Sequence, residues 1–250
     1  VKAWATEHDI PVWQPEKAEG ELARKLRDAE VELVIVMAYG RIFSQKFLQA
    51  APPLWNLHLS LLPKYRGSTP VQTAILAGED YSGVTVFRIT PGMDDGPILG
   101  QSGFSIAGAR ADRVNALCTE YGSDLLVSLL TKTASGEPLP ERPQDHTQAT
   151  SCQKISKQDG QLDPQEEEVE SALRKIRAFY PWPSAWLTYQ GKRIRLLDAL
   201  PAEAEASPGR FTSKDNRLLL GFADGALEIT ELQPEGKRAM TGKAFAAGLR

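Results

Sequence analysis

Residues 33–38 read LVIVMA, an unbroken apolar run with Val34, Ile35 and Val36 β-branched, closed by Tyr39-Gly40. The run is too short for a helix and shows no polar alternation. Strands buried on both faces of a parallel sheet look like this. Upstream, residues 16–30 predict an amphipathic helix, with Leu22, Leu26 and Ala29 at helical spacing. Ahead of that, residues 1–8 suit a short helix and 10–13 a short strand stopped by Pro15. Downstream, Ser44 is placed to cap a short helix ending near Leu48. Residues 54–59 are a second strand, and 70–77 a helix with Pro70 where its missing N–H does no harm. GVTVFRIT at 83–90 alternates as a strand does, and 98–106 reads as another. Residues 110–132 form a long helix with Val114, Leu117, Tyr121, Leu125 and Leu129 on one stripe. Alternating strands and helices predict an α/β, doubly wound, mostly parallel sheet.

The pattern changes after Gly136. Residues 136–163 carry Pro138, Pro140 and Pro143 among polar residues and little periodicity, as a linker does, with room for a short strand near 149–155. A helix follows at 166–179, acidic at its start and basic at its end, matching the helix dipole. From Ala185 onward short strands turn at Gly191 and at Asp224-Gly225, and a helix begins at Thr241. Close-spaced hairpins predict a small β-barrel of OB-like type. The expected division is therefore 1–135, a linker at 136–163, and a barrel domain at 164–250.

The chain has 250 residues, 42% of them hydrophobic, and a net charge of -3. That balance argues against a basic coat for nucleic acid and leaves room for local basic patches. Cys118 and Cys152 are the only cysteines and form no CxxC, so neither zinc nor a disulfide framework is expected. No apolar run has the length of a membrane span, and the expected location is the cytoplasm. No GxGxxG opens a βαβ unit, and GxxxxGK[ST] is missing, which disfavours dinucleotide-dependent and P-loop chemistry.

Chemistry concentrates in NLHLSLLPKYRG at 56–67. Asn56 and His58 are two apart on a strand, so their side chains share a face. An amide N–H and an imidazole N–H side by side can hold a developing oxyanion. PGMDDGPILG at 91–100 places two carboxylates in a loop between strands. Alone it suits a solvated turn. Beside His58, one carboxylate would orient the imidazole and keep it protonated. SLLP is either an apolar turn or a wall offering backbone groups to a flat heterocycle. Lys64 and Arg66 are either surface charges or contacts for an anion.

The pair NLHLSLLPKYRG and GVTVFRITPGMDDGPIL resembles the catalytic signature of the 10-formyltetrahydrofolate-dependent formyltransferases. RGSTPVQTAILAG and IRAFYPWPSAW resemble the branch of that superfamily that acts on methionyl-tRNA, and the likeness covers essentially the whole chain. The resemblance implies a Rossmann-like catalytic sheet, 10-formyltetrahydrofolate as co-substrate, no metal, and initiator methionyl-tRNA as partner of a monomer. It implies a catalytic set of Asn56, His58 and Asp94, with Asp94 preferred to Asp95 because the family's Gly-x-Asp-x-Gly falls on Gly92, Asp94 and Gly96. Ser60, Leu61, Leu62 and Pro63 match the folate-contacting stretch, and Tyr39, Gly40, Arg41 and Ile42 a loop near the pterin. Candidates for tRNA contact are Arg66, Lys192, Arg193, Arg195, Lys237, Arg238 and Lys243. The family opens with a strand, a glycine turn, a helix, a second strand and a basic loop before the counterpart of VKAWATEHD. The sequence is accordingly expected to be incomplete at its amino end, with exposed strand edges and low stability.

Three rivals compete. Another folate-dependent formyltransferase, acting on glycinamide ribonucleotide or a sugar-nucleotide amine, shares Asn-x-His and the Asp loop but not RGSTPVQ or the appended β domain. A formyltetrahydrofolate hydrolase would use water in place of the amine. A folate- or tRNA-binding fragment would bind without turnover.

Overall fold

The computed structural model describes residues 1–14 and 19–249. The first half contains α1 (Lys2–Glu7), α2 (Glu19–Asp28), β1 (Val34–Val36), α3 (Gln45–Ala50), β2 (Leu54–His58), α4 (Pro70–Leu76), β3 (Tyr81–Arg88), β4 (Ile98–Ser105) and α5 (Ala111–Ala134). Its four strands form one sheet in the order β1-β2-β3-β4. Helices cover it, as an α/β sheet requires. The sheet is mixed rather than mostly parallel: β1 and β2 run parallel, while β2–β3 and β3–β4 are antiparallel. For β3–β4 the reason is connectivity. Only a crossover can join parallel neighbours, and the chain between β3 and β4 is a loop with no helix; β2 and β3 are antiparallel although α4 lies between them.

Two local expectations change. Residues 10–14 form no strand, because no described strand lies beside them to pair with. Residues 15–18, the predicted start of α2, lie outside the described residues. β1 is not buried on both faces either: Ile35 is 37% exposed and Met37, just past its end, 51%. β1 is the edge of the described sheet, and its inward side chains Val34 and Val36 pack with Ala23, Leu26, Phe43, Phe47 and Leu54.

Between β2, β3, β4 and α5 lies the first main core, with Leu57, Val84, Val86, Leu99, Val114 and Cys118 inside it. α5 packs on β3 and β4, and Gly122 on its buried face leaves room for the Leu57 side chain of β2, since a Cβ there would come 2.9 Å from Leu57 Cδ2.

The second half holds α6 (Val169–Ala178), β5 (Ala185–Tyr189), β6 (Lys192–Ala202), β7 (Phe211–Lys214), β8 (Arg217–Phe222), β9 (Gly225–Pro234), β10 (Met240–Thr241) and α7 (Gly242–Ala246). These strands form an antiparallel sheet in the order β5-β6-β9-β8-β7, with β10 on β9. Two of its turns are two residues long, with positive φ at both: Gln190-Gly191 and Asp215-Asn216. Such turns match the twist of a hairpin. The sheet coils until Tyr189 on β5 meets Phe211 on β7 edge to face at 4.9 Å, barrel-like around Leu173, Ile176, Leu218, Leu220 and Ile229.

The two halves share core. Ala178, the last residue of α6, and Phe179, just past it, belong to the first core. Arg110, the residue before α5, stacks on Tyr180 at 3.9 Å. Residues 136–163 run between the halves as a strap bonded to both. Arg142 exchanges both backbone bonds with Ile98, and Leu162 donates to Trp186 O at 2.8 Å. No described helix is long and apolar enough to cross a membrane. Phe179 is 2% exposed, so Phe179→Ala should cost about 3–5 kcal/mol. Urea unfolding should show a lower midpoint for one joint transition. An unchanged midpoint would show that this ring does not couple the halves.

Candidate active site

His58 ends β2 and is 6% exposed, its ring enclosed with the 59–67 loop. A buried imidazole needs partners for both nitrogens. His58 Nε2 lies 2.9 Å from the carbonyl of Tyr65, which can only accept, so Nε2–H donates. His58 Nδ1 lies 3.7 Å from Asp94 Oδ2, too long for a direct hydrogen bond. Asn56, one strand repeat earlier on the same face, is half-buried. It takes no hydrogen bond with any described residue through its side chain.

Asp94 arrives from the loop between β3 and β4. That loop leaves β3 at Arg88, beside the start of β2, and folds back to place Asp94 beside the end of β2. The fold-back has a backbone cost. Asp94 adopts φ 49, a left-handed conformation costing about 1 kcal/mol or more outside glycine. Gly96 is required by close approach: a Cβ there would come 1.8 Å from Arg88 O. Asp95 is tied within the loop, accepting from Thr90 Oγ1, and so is turned away from His58. The Asp94 carboxylate instead accepts from the Gly67 N–H at 2.7 Å. Gly67 sits at φ 112, which only glycine adopts readily.

Burial is the largest influence on His58 and pushes its pKa below the ordinary 6.5. The Asp94 carboxylate and the Tyr65 carbonyl pull the other way without overcoming it. The expectation that the carboxylate keeps the resting imidazole protonated is therefore corrected: desolvation outweighs a charge 3.7 Å away. In the neutral ring, Nε2 keeps the proton and Nδ1 presents a lone pair toward Asp94. Two acceptors then face each other across a gap, ready to share an incoming proton.

The 60–63 turn differs in detail from its expectation. Ser60 is fully buried and its hydroxyl donates to Lys64 O at 2.6 Å. Ser60 O accepts from Thr85 Oγ1, Leu62 N donates to Thr85 Oγ1, and Leu62 O accepts from Gln101 Nε2. These backbone groups are thus spent inside the protein, leaving the partly exposed Leu61 and Pro63 as the turn's outward surface. The 39–42 loop leaves the sheet at the same edge, because β1 and β2 run parallel with Val36 opposite Asn56. Tyr39 stacks on Phe43 at 4.7 Å, while Gly40, Arg41 and Ile42 are exposed. An apolar cavity of about 230 Å³ lined by Leu22, Val34, Met37, Tyr39 and Phe47 lies beside β1, and its lining includes none of Asn56, His58 and Asp94.

Arg66 is half-buried and its guanidinium binds Gln144 Oε1 at 2.6 Å, within the protein. Lys192, Arg193 and Arg195 are exposed at the start of β6. Pairing with β9 brings them beside exposed Lys237 and Arg238, since Arg193 and Glu235 exchange bonds and Arg195 binds Gln233 at 3.2 Å. Lys243 is exposed on α7. Gln144, in the strap, was not singled out by sequence, yet it is 5% exposed and donates to both Asp94 O and Gly96 O at 2.8 Å. Its only sequence signal is a polar residue after Pro143 in a stretch with no periodicity.

The lowered pKa of His58 has a sign. The unfolded chain takes up a proton at about 6.5 that the folded chain resists. Stability should therefore fall as the pH drops below the unfolded value of about 6.5 toward the lower folded one. His58→Gln should flatten that fall in urea midpoints. An equal slope in both proteins would show that His58 is not the group.

Comparison with known proteins agrees with this geometry. The formyl transferase family model matches residues 2–130, and the formyl transferase C-terminal domain model matches 154–250. The methionyl-tRNA formyltransferase of Chloroflexus aggregans is 40% identical over all of this chain and 82% of its own length. That of Methylococcus capsulatus is 39% identical over 98% of this chain and 80% of its own. Among solved structures, HypX from Aquifex aeolicus in complex with tetrahydrofolic acid superposes with a TM-score of 0.71 at 21% identity, over 89% of this chain and 40% of that one. With both family models matched in order and a relative at 40% identity over the whole of this chain, the chain belongs to the formyl transferase family.

Proposed function

We propose that this enzyme transfers the formyl group of 10-formyltetrahydrofolate to the α-amine of methionine on initiator tRNA, supplying translation initiation in the cytoplasm. The observation that carries the reading is the approach of Asp94 to His58, with Asn56 on the same strand face. The choice of tRNA among formyl acceptors rests on the relatives of that name and on the basic residues gathered at the β6–β9 end of the second half. Residues 1–135 would carry the chemistry, 136–163 the connection and 164–250 part of the tRNA contact, with the protein working as a monomer.

The amine nitrogen attacks the formyl carbon, a C–N bond forms, and negative charge builds on the formyl oxygen. Asn56 donates an N–H to that oxygen. The attacking nitrogen loses a proton into the gap between His58 Nδ1 and Asp94 Oδ2. The imidazolium so formed is held by Asp94 on one side and the Tyr65 carbonyl on the other. The tetrahedral carbon then expels the folate nitrogen, which takes that proton as its C–N bond breaks. No metal enters this sequence. The flat folate ring would lie against Leu61 and Pro63, with the 39–42 loop at the same sheet edge. Arg66, already engaged by Gln144, would reach tRNA only with its remaining guanidinium face.

Asn56→Ala should lower kcat by about 10²–10³-fold with little change in KM for the folate. The assay offers 10-formyltetrahydrofolate with charged initiator tRNA and, in parallel, glycinamide ribonucleotide and a sugar-nucleotide amine. Product on the tRNA alone is expected. Product on another amine would move the enzyme to that substrate, and release of formate alone would make it a hydrolase. Replacing Lys192, Arg193 and Arg195 together should reduce the salt dependence of tRNA binding, by about one unit of log–log slope for each phosphate no longer neutralised.

A further inference from the structure

Gln144 uses its whole carboxamide. Oε1 accepts from Arg66 Nε at 3.2 Å and Nη2 at 2.6 Å. Nε2 donates to Asp94 O and Gly96 O, both at 2.8 Å. The orientation is forced, since a guanidinium only donates and carbonyls only accept. The two carbonyls are that of left-handed Asp94 itself and that of Gly96 two residues on, and the backbone strain at Asp94 persists only if its surroundings hold it. Two residues earlier the strap is pinned to the start of β4, where Arg142 and Ile98 exchange bonds of 2.8 and 3.0 Å. Six residues later it is pinned to the other partner of His58: Tyr65 N donates to Thr150 Oγ1 at 2.8 Å and Arg66 N to Thr150 O at 2.8 Å. The strap therefore grips both groups that flank the imidazole, Asp94 through Gln144 and Tyr65 through Thr150.

We propose that Gln144 is a positioning residue for formyl transfer, holding Asp94 opposite His58 by clamping the strained turn that carries it. The inference rests on the reading of Asp94 as catalytic. Without the two donated bonds, the turn relaxes toward right-handed backbone and its carboxylate leaves Gly67 and His58. A displacement of about 1 Å at a reacting group costs on the order of 10²-fold in rate. Folate binding, placed against Leu61, Pro63 and the 39–42 loop, is untouched. Gln144→Glu tests the two donations themselves. It keeps the volume and the bond to Arg66 and loses both donations.

The experiment uses the full chain with Gln144→Ala, Gln144→Glu, Asp94→Asn and the Gln144→Ala/Asp94→Asn double variant. Both Gln144 variants should lose about 10–100-fold in kcat with KM for 10-formyltetrahydrofolate within about twofold. Both Gln144 variants should also lower the melting temperature, because two buried carbonyls lose their donor, so the kcat-against-KM split and the double variant separate positioning from stability. In the Asp94→Asn background, Gln144→Ala should cost almost nothing more, because a residue acting through Asp94 has nothing left to position. A second readout needs no turnover: hydrogen exchange of the Gly67 amide, which donates to Asp94 Oδ2. Its protection should drop in both Gln144 variants while that of Val84, inside β3, stays. Full kcat in Gln144→Glu, or losses that multiply in the double variant, would overturn the proposal. So would unchanged Gly67 protection, which decides the matter even if the wild-type chain transfers no formyl group and the functional reading itself fails.

Discussion

The structure of the site depends on one desolvated imidazole. Placing His58 at the buried end of β2 removes water from both ring nitrogens and pushes its pKa down. Each nitrogen must then be met by a protein group held in place, since a loosely placed partner leaves a buried polar atom unsatisfied. Tyr65 meets one with a backbone carbonyl, itself on a residue in left-handed conformation at φ 61. Asp94 faces the other from a left-handed turn. Both partners sit on strained backbone, so both need outside restraint. The strap supplies it, and much of the local architecture follows from that requirement.

This arrangement ties the chemistry to the second half of the molecule. The strap that clamps Asp94 and Tyr65 continues to Leu162, which donates to Trp186 on β5, and Trp186 in turn donates to Lys157 O at 3.1 Å. Trp186 also carries Arg193 stacked at 4.0 Å, one of the basic residues at the β6–β9 end. A contiguous set of bonds and packed rings thus runs from the basic end of the β domain to the carboxylate beside His58. Phe179 and the Arg110–Tyr180 stack close the same joint from the other side. The halves share core and share the support of one site.

How much of this was legible in the sequence follows from the range of each interaction. Asn56 and His58 could be placed on one face because strand periodicity is local. The helices α3 and α5 and the hairpin turn at Gly191 were legible for the same reason: caps, stripes and turn residues act over a few positions; the turn at Asp215-Asn216 was not anticipated. Strand direction was not, because apolar runs look alike whichever way they point. The sheet is mixed because β3 runs against both of its neighbours, β2 and β4. LVIVMA looked buried throughout, yet its burial depends on what lies beside β1, which no residue in the run encodes. The meeting of Asp94 with His58 spans a loop without periodicity, and only the family resemblance joined the two segments in advance.

Gln144 shows the limit most clearly. A proline-bearing polar stretch between two patterned regions reads as a spacer, because nothing in it repeats. Yet the features that make it look unstructured suit it to the task. Proline cannot continue a helix and favours extended backbone, so the strap curls only at the short 3-10 turns His146–Gln148 and Gln158–Gly160, and most of its peptide groups remain free to bond other segments. Arg142, Thr150 and Cys152 spend those groups on β4 and on the 65–66 loop. Gln144, with two donors and an acceptor in one rigid plane, can bridge a guanidinium to two carbonyls, which neither a carboxylate nor a hydroxyl can do. The residue type is thus dictated by the partners rather than by the segment that carries it. A reading that proceeds segment by segment has no access to that constraint until the fold brings Arg66, Asp94 and Gly96 to one point.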